Sequence, residues 1–238
     1  MERTVFPGYA VAHSAGEIRS AYLRQVMWRT MLGLFISGIV GFASAFALAL
    51  VPSLLGGLGP MLIILGCWAV TNFVARPMVF GTAKWGGFLL GTVTQGVSLG
   101  FLLLVAMILS KQEMGNPFSM IGTALTMTLL VGLGLTIYTY SERREFSMLR
   151  AGLSVLFLPM LVLMGISFAF PSLLQGTFGI VVSGLFVVIS AAGLLYQLNA
   201  VLHDFTPDME MEGAFVITIG VLVLFWNILT LLMRLRRR

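Results

Sequence analysis

Three amide side chains are the strongest candidates for chemistry in this chain. Gln197 and Asn199 precede a short acidic loop and Asn227 follows it, and each lies within a long apolar run. A polar side chain inside a bilayer is costly and tends to be functional. Because an amide donates and accepts hydrogen bonds but does not titrate, these residues predict a polar contact between helices. For Gln197, a structural and a functional role are equally compatible with the sequence.

The acidic loop itself resembles half of a calcium site. Asp208, Glu210, Glu212 and Gly213 have the spacing of calcium-loop positions one, three, five and six. Position twelve is the apolar Ile219, where a bidentate carboxylate is required. Acidic residues just before a helix also stabilise its N-terminus through the macrodipole. We therefore favour a helix-capping role and predict no metal site and no cofactor.

Other catalytic patterns are missing from the sequence. It contains neither the HExxH pattern of zinc proteases nor the Gly-x-Ser-x-Gly turn of serine hydrolases. All nine carboxylates and both histidines are assigned to tails or loops, so no proton relay is expected inside the membrane. We predict that the protein is not an enzyme.

Composition indicates a membrane protein. The chain is 58% hydrophobic and only 10% charged, whereas soluble domains carry about 25% charged residues. Apolar runs of about 20 residues recur along the chain, which is the length of a membrane-spanning helix. The runs lack the alternation of a strand barrel. The sequence therefore predicts an all-α, polytopic membrane protein whose partner is the lipid bilayer and not a nucleic acid.

Seven spans are predicted, with a tail at each end. Residues 1–26 form the N-terminal tail, 27–233 the membrane domain and 234–238 a basic C-terminal tail. The spans are placed at about 28–50, 58–76, 86–109, 117–140, 147–168, 177–201 and 213–233. In the first span, Gly33, Ser37, Gly41 and Ala45 recur every four residues, a spacing that lets a neighbouring helix pack closely.

Basic residues predict the orientation. Arg19, Arg24 and Arg29 lie before or at the start of the first span, on a patch that suits a helix along the membrane surface, and they place the N-terminus in the cytoplasm. Seven crossings then put the C-terminus outside, although the tail at 234–238 is also basic. A re-entrant span six or seven would resolve that conflict, and so would dominance of the earlier charges with a basic tail tolerated outside. We favour seven crossings.

Four segments resemble the Bax inhibitor family, the transmembrane BAX-inhibitor-motif proteins, and within it the bacterial YccA-like branch. Along the chain these segments are AYLRQVMWRTMLGLFISGIVGF, SERREFSMLRAGL, LLYQLNAVLHD and AFVITIGVLVLFWNILTLL. The third is similar to the family's LYDLNQI segment and carries the closest match. The resemblance extends over 21–233, in the family's order.

The resemblance implies a fold and two kinds of activity. The fold is a seven-helix transmembrane bundle with the last helix central. Members are described as pH-sensitive calcium leak channels, and some bacterial members modulate a membrane-anchored ATP-dependent protease. In the channel members two aspartates share a proton and latch the pore. The resemblance places those aspartates at Gln197 and Gly220 of this chain, neither of which ionises.

Two functions are therefore expected. The first is a regulatory or partner-binding protein of the bacterial inner membrane that modulates such a protease. The alternative is a leak for calcium or another cation that lacks the di-aspartate latch. Gln197, Gly220, Asn199 and Asn227 are the candidate latch or pore residues.

Overall fold

The computed structural model describes residue 11 and residues 16–51, 59–141 and 176–236, all of the regular structure in them helical. The helices are α1 (Gly16–Leu50), α2 (Gly59–Ala69), a π-helical segment (Val70–Ala75), α3 (Arg76–Phe80), α4 (Lys84–Met114), α5 (Ser119–Ser141), α6 (Gly176–His203) and α7 (Glu210–Arg236).

The all-α prediction is confirmed. Six stretches of the described residues are long and apolar enough to cross a membrane, with the stretch 59–80 counted as one. The predicted span at 147–168 lies outside the described residues. The count of seven and the central place of the last helix therefore stay predictions.

Helix α1 is longer than a membrane crossing needs. Its 35 residues extend for about 52 Å at 1.5 Å per residue, against about 30 Å for the hydrocarbon core. The basic patch that suggested a separate surface helix is instead continuous with the first span. No proline or positive-φ residue interrupts this stretch, so the helical hydrogen bonding continues through it.

The second predicted span extends past Pro77, where the sequence suggested that it ends. A π-helical segment precedes the proline, and the backbone N–H of Arg76 reaches back to the carbonyl of Thr71. Pro77 then occupies one of the first two positions of α3, where a missing N–H is tolerated. The helix therefore continues to Phe80 instead of ending at Arg76.

The chain folds as two compact units, each of which draws on segments distant in sequence. The first comprises Met1–Leu104 and Leu198–Ile219, and the second comprises Val105–Gln197 and Gly220–Arg238. Helices α4, α6 and α7 each contribute one part to the first unit and the remainder to the second.

In the first unit, α1 and α4 run parallel along the predicted small-residue stripe. Ser37 donates a hydrogen bond to the carbonyl of Thr92 at 2.8 Å. One turn further along, a Cβ on Gly41 would lie 3.4 Å from the carbonyl oxygen of Gly96. All four residues of the stripe are buried, so close packing on this face is confirmed.

The first half of α7 belongs to the same unit and begins at the same end as α1 and α4. Gly213, near the start of α7, lies against Tyr22 in the first turns of α1. Five residues further along α7, Thr218 lies against Gly33. Contacts therefore advance in the same direction along both helices, and α7 is parallel to α1 within this unit.

In the second unit, α6 and α7 are antiparallel. Arg234, in the last turn of α7, donates a hydrogen bond to the carbonyl of Gly179, near the start of α6, at 2.9 Å. Towards the other end of this contact, Gly220 lies against Leu194 and Gln197. In the same unit, Gly115 takes φ +70° and ends α4, as glycine commonly does after a helix.

Candidate functional site

The structure brings Gln197 and Gly220 into contact. A Cβ built on Gly220 would overlap the Oε1 atom of Gln197 and would lie 3.0 Å from a methyl of Leu194. Gly220 is buried. The glutamine therefore extends across the α6–α7 contact and occupies the space that any side chain at position 220 would need.

The amide of Gln197 is not part of a hydrogen-bonded clasp. Its Oε1 atom is buried and accepts no hydrogen bond in the described structure. The polar contact between helices predicted for the amides is not formed here, because Gln197 bonds neither to Asn227 nor to backbone near Gly220 among the described residues, and Asn227 is only half-buried. A buried acceptor without a donor costs roughly 1–3 kcal/mol. The close fit with the glycine is therefore a packing feature, and the free oxygen remains able to accept a bond.

Asn199 lies elsewhere, in the first unit, where its residue is 5% exposed. Its backbone carbonyl is 3.1 Å from the Nδ1 atom of His203, one helical turn later. Of the three amides singled out by the sequence, Gln197 and Asn227 belong to the second unit and Asn199 to the first.

Two carboxylates of the acidic segment form ion pairs with other helices. Glu210 pairs with Arg29 of α1, and Glu212 pairs with Lys84 of α4 at 2.7 Å. Both carboxylates lie in the first turn of α7, where they also complement the helix dipole. No group of three or more potential metal ligands occurs among the described residues. The helix-capping interpretation agrees with this arrangement.

The expectation that every carboxylate lies in a tail or loop is wrong for four of them, since Glu17, Glu113, Glu210 and Glu212 all lie within helices. Glu212 is the most buried of the four. Its side chain is 3% exposed and lies inside α7. One carboxylate oxygen meets Lys84 and the other, Oε2, has no hydrogen-bond partner in the described structure. The sequence does not show that Glu212 is buried. Whether a residue in the first turn of α7 faces another helix depends on how α1 and α4 pack against that turn.

Asp208, just before α7, is held in its charged form. The Thr206 hydroxyl donates a hydrogen bond to its carboxylate, and this bond lowers the pKa of Asp208 below its ordinary value of 3.8. The backbone N–H of Asp208 and the nearby Lys84 act in the same direction, while partial burial opposes them. The loop thus carries a persistent negative charge at neutral pH.

A second polar group in the first unit was not anticipated. Thr71, in the π-helical segment, is 2.8 Å from the hydroxyl of Thr94 on α4 and also donates to the carbonyl of Cys67. The side-chain amide of Gln95 donates to the same Thr71 hydroxyl at 3.4 Å. The sequence does not pair Gln95 with Thr71, because the π-helical turn that orients Thr71 has no simple sequence signature.

Comparison with known families accounts for almost the entire chain. The model of the family described as "Inhibitor of apoptosis-promoting Bax1" (Bax1-I) matches residues 19–237. No curated protein sequence matches the chain. The match covers both compact units and every described helix, at least in large part. The chain therefore belongs to the Bax inhibitor family of membrane proteins.

Proposed function

We propose that this protein is a regulatory, partner-binding membrane protein of the YccA-like branch and that it modulates a membrane-anchored ATP-dependent protease. The observation that carries this proposal is the contact between Gln197 and Gly220. It lies where the resemblance to channel members places the proton-sharing aspartates. A non-enzymatic role is part of the proposal.

The physical argument concerns titration. Two close carboxylates sense pH because both cannot be ionised cheaply, which raises the pKa of one of them. Gln197 has no ionisable group and Gly220 has no side chain. The two residues also leave no gap between the helices, because the Gln197 side chain occupies the position that a side chain at Gly220 would take. A fixed contact of this kind cannot open by losing a proton, so we infer that pH-latched leakage is not the function.

Calcium flux through reconstituted protein tests the loss of the latch. Purified protein in vesicles loaded with a calcium-sensitive dye should show the same flux at pH 6 and at pH 7.5, whatever its size. The double variant Gln197→Asp, Gly220→Asp restores both carboxylates and is expected to restore pH dependence. A steep pH dependence in the wild-type protein would contradict the proposal.

Partner binding requires a separate test. Crosslinking in intact bacterial membranes, followed by purification of this protein, should recover a membrane-anchored protease as a reproducible partner. A matched sample without crosslinker and a tagged unrelated membrane protein serve as controls. Recovery of no stable protein partner would count against the regulatory proposal even if the flux is insensitive to pH.

A second candidate function is a cation leak with another gate. Its support is the free Oε1 of Gln197 in one unit and the Thr71, Thr94 and Gln95 group in the other. Oxygen atoms at membrane depth can replace part of the water shell of a cation. Measurable flux that Gln197→Leu abolishes at every pH would favour this candidate. Absence of flux would favour the regulator.

We also propose seven crossings, with the N-terminus in the cytoplasm of a bacterium and the protein in its inner membrane. The supporting observation is that α4 and α7 begin beside the first half of α1 and run in the same direction as α1 within the first unit. Helix α7 has 27 residues and spans about 40 Å, so it can complete a crossing in the same direction as α1. An odd number of crossings follows from that direction.

A further inference from the structure

The outer face of the first half of α1 carries a shallow groove that neither candidate function uses. It is wide open to its surroundings, with a volume of about 510 Å³. The residues that line it are Ser20, Leu23, Arg24, Met27, Trp28 and Met31. They recur at spacings of three and four and so occupy one side of the helix.

The groove changes character along the helix axis. Arg24 is exposed and makes no ion pair or hydrogen bond with any residue that the structure describes. Trp28 is 69% exposed and Met31 is 59% exposed. At 1.5 Å per residue, Trp28 is about 6 Å and Met31 about 10 Å further along the axis than Arg24. The order is therefore a cation, then an aromatic ring, then an apolar surface.

Neighbouring residues indicate where the membrane surface crosses this groove. The guanidinium of Arg29, adjacent to Trp28, lies 6.0 Å from the ring centre of Trp85. Trp85 is 52% exposed and is the second residue of α4. Exposed tryptophans of adjacent helices at one level are typical of the membrane–water boundary. Arg24 is then one turn towards the water, and Phe35 is about 10 Å deeper.

We propose that this groove binds the headgroup phosphate of one anionic phospholipid. The order of groups along the groove matches the order along a lipid, from phosphate through glycerol to acyl chain. The lining of the groove is almost wholly apolar, so Trp28 and Met31 would contact the glycerol region and the first acyl carbons. Arg24 contributes its methylene stem to this lining, and its exposed guanidinium would donate to phosphate oxygens at the edge of the groove.

Charge gives the expected preference for an anionic lipid. A zwitterionic headgroup brings its own cation next to Arg24, whereas an anionic headgroup does not. Ser20 already donates its hydroxyl hydrogen to the carbonyl of Glu17 at 2.9 Å, so Arg24 is the main donor in the groove. The Glu17 carboxylate lies two turns away from Arg24, about 10 Å along the axis, which is near the screening length in physiological salt.

Native mass spectrometry of the full-length protein tests the proposal. The detergent-solubilised protein is titrated with phosphatidylglycerol or with phosphatidylcholine of identical acyl chains, and retained lipid is counted. We expect phosphatidylglycerol to bind about fivefold more tightly, since one cation near an anionic headgroup contributes about that factor. Arg24→Ala should remove this preference and leave phosphatidylcholine binding unchanged.

A matched variant distinguishes a specific lipid site from general electrostatic attraction of anionic lipids. Arg236→Ala removes one exposed positive charge near the end of α7 and should leave the preference intact. The proposal would be overturned if Arg24→Ala and Arg236→Ala lost the preference for phosphatidylglycerol equally. It would also be overturned if the wild-type protein bound the two lipids equally well. If Arg24→Ala does not fold, Arg24→Gln is the substitute, with the same expected loss.

Two further measurements identify the occupant. Trp28→Ala should weaken both lipids, because the apolar part of the groove contacts parts that they share. Inorganic phosphate at millimolar concentration should not displace phosphatidylglycerol. Complete displacement by phosphate, or an unchanged affinity in Trp28→Ala, would show that the apolar part contributes nothing and would contradict a lipid site.

Discussion

At the scale of single residues, the most informative feature is the steric fit between the long side chain of Gln197 and the missing side chain of Gly220. The long side chain on α6 occupies the space left by the absent side chain on α7. The two positions are therefore coupled sterically, and a change at one should be tolerated only with a compensating change at the other. This coupling is independent of whether the protein conducts ions.

Gly220→Ala should destabilise the protein by about 1–3 kcal/mol, the usual cost of overpacking a well-packed core. The added methyl would overlap Gln197 Oε1. Gln197→Ala in the same chain should recover most of that loss. Gly193→Ala is the matched control, because a Cβ there meets nothing within 4 Å. Thermal unfolding in detergent compares these variants with Gln197→Ala alone and with the wild-type protein. Additive losses in the double variant would contradict steric coupling.

Thr206→Val should raise the pKa of Asp208 towards 3.8. The lost hydroxyl is the largest cause of the depressed pKa. A depressed folded-state pKa stabilises the fold at pH values above the unfolded-state pKa, and this contribution disappears as pH falls through the folded-state pKa. Thr206→Ser keeps the hydroxyl and should keep the low pKa. Carboxyl-carbon chemical shifts against pH report the change, and an unshifted titration in Thr206→Val would refute the assigned cause.

At the scale of elements, two kinds of contact hold the first unit together. Small residues bring α1 and α4 close enough for a side chain on one helix to reach the backbone of the other. Arg29 in the first half of α1 and Lys84 at the start of α4 hold the first turn of α7 through its two carboxylates. Close backbone approach is the main source of helix association in a membrane, where hydrophobic burial contributes little.

Gly96→Ala should weaken the packing of α1 against α4. The added Cβ would lie 2.8 Å from the carbonyl oxygen of Ser37 and 2.8 Å from the Cβ of Val40. The backbone atom cannot move without shifting α1, so we expect a loss of about 1–3 kcal/mol. Gly38→Ala, on a face of α1 with nothing within 4 Å, should be neutral. Unfolding in mixed detergent compares the stability of the two variants. Equal stability of Gly96→Ala and Gly38→Ala would show that close packing of α1 against α4 does not limit stability.

At the scale of the whole molecule, the parallel start of α1, α4 and α7 bears on topology. Lys84 and Arg29 lie at the end where α7 begins and pair with its carboxylates. The basic C-terminal tail suggested a cytoplasmic end. We nevertheless expect the C-terminus on the opposite side, because positive charge is a bias on orientation that earlier segments can outweigh.

A reporter that is active only in the cytoplasm should be bright when fused to the N-terminus and dark when fused to the C-terminus. A second reporter, active only outside the cytoplasm, should give the reverse pattern. The paired reporters exclude failure of expression as the cause of a dark fusion. A bright cytoplasmic signal at the C-terminus would rule out an odd number of crossings.

The sequence alone determined the class of the protein, the positions of most spans and the family. These follow from local properties, because the length of an apolar run and the spacing of small residues are visible in a single segment. Gln197 and Gly220 were also marked by the sequence, through the resemblance. Only the tertiary structure decided that they touch, that Asn227 does not bond to Gln197, and that Glu212 is buried beside Lys84. Helical periodicity states which residues share a face but not which helix that face meets, and these contacts join residues far apart in the chain.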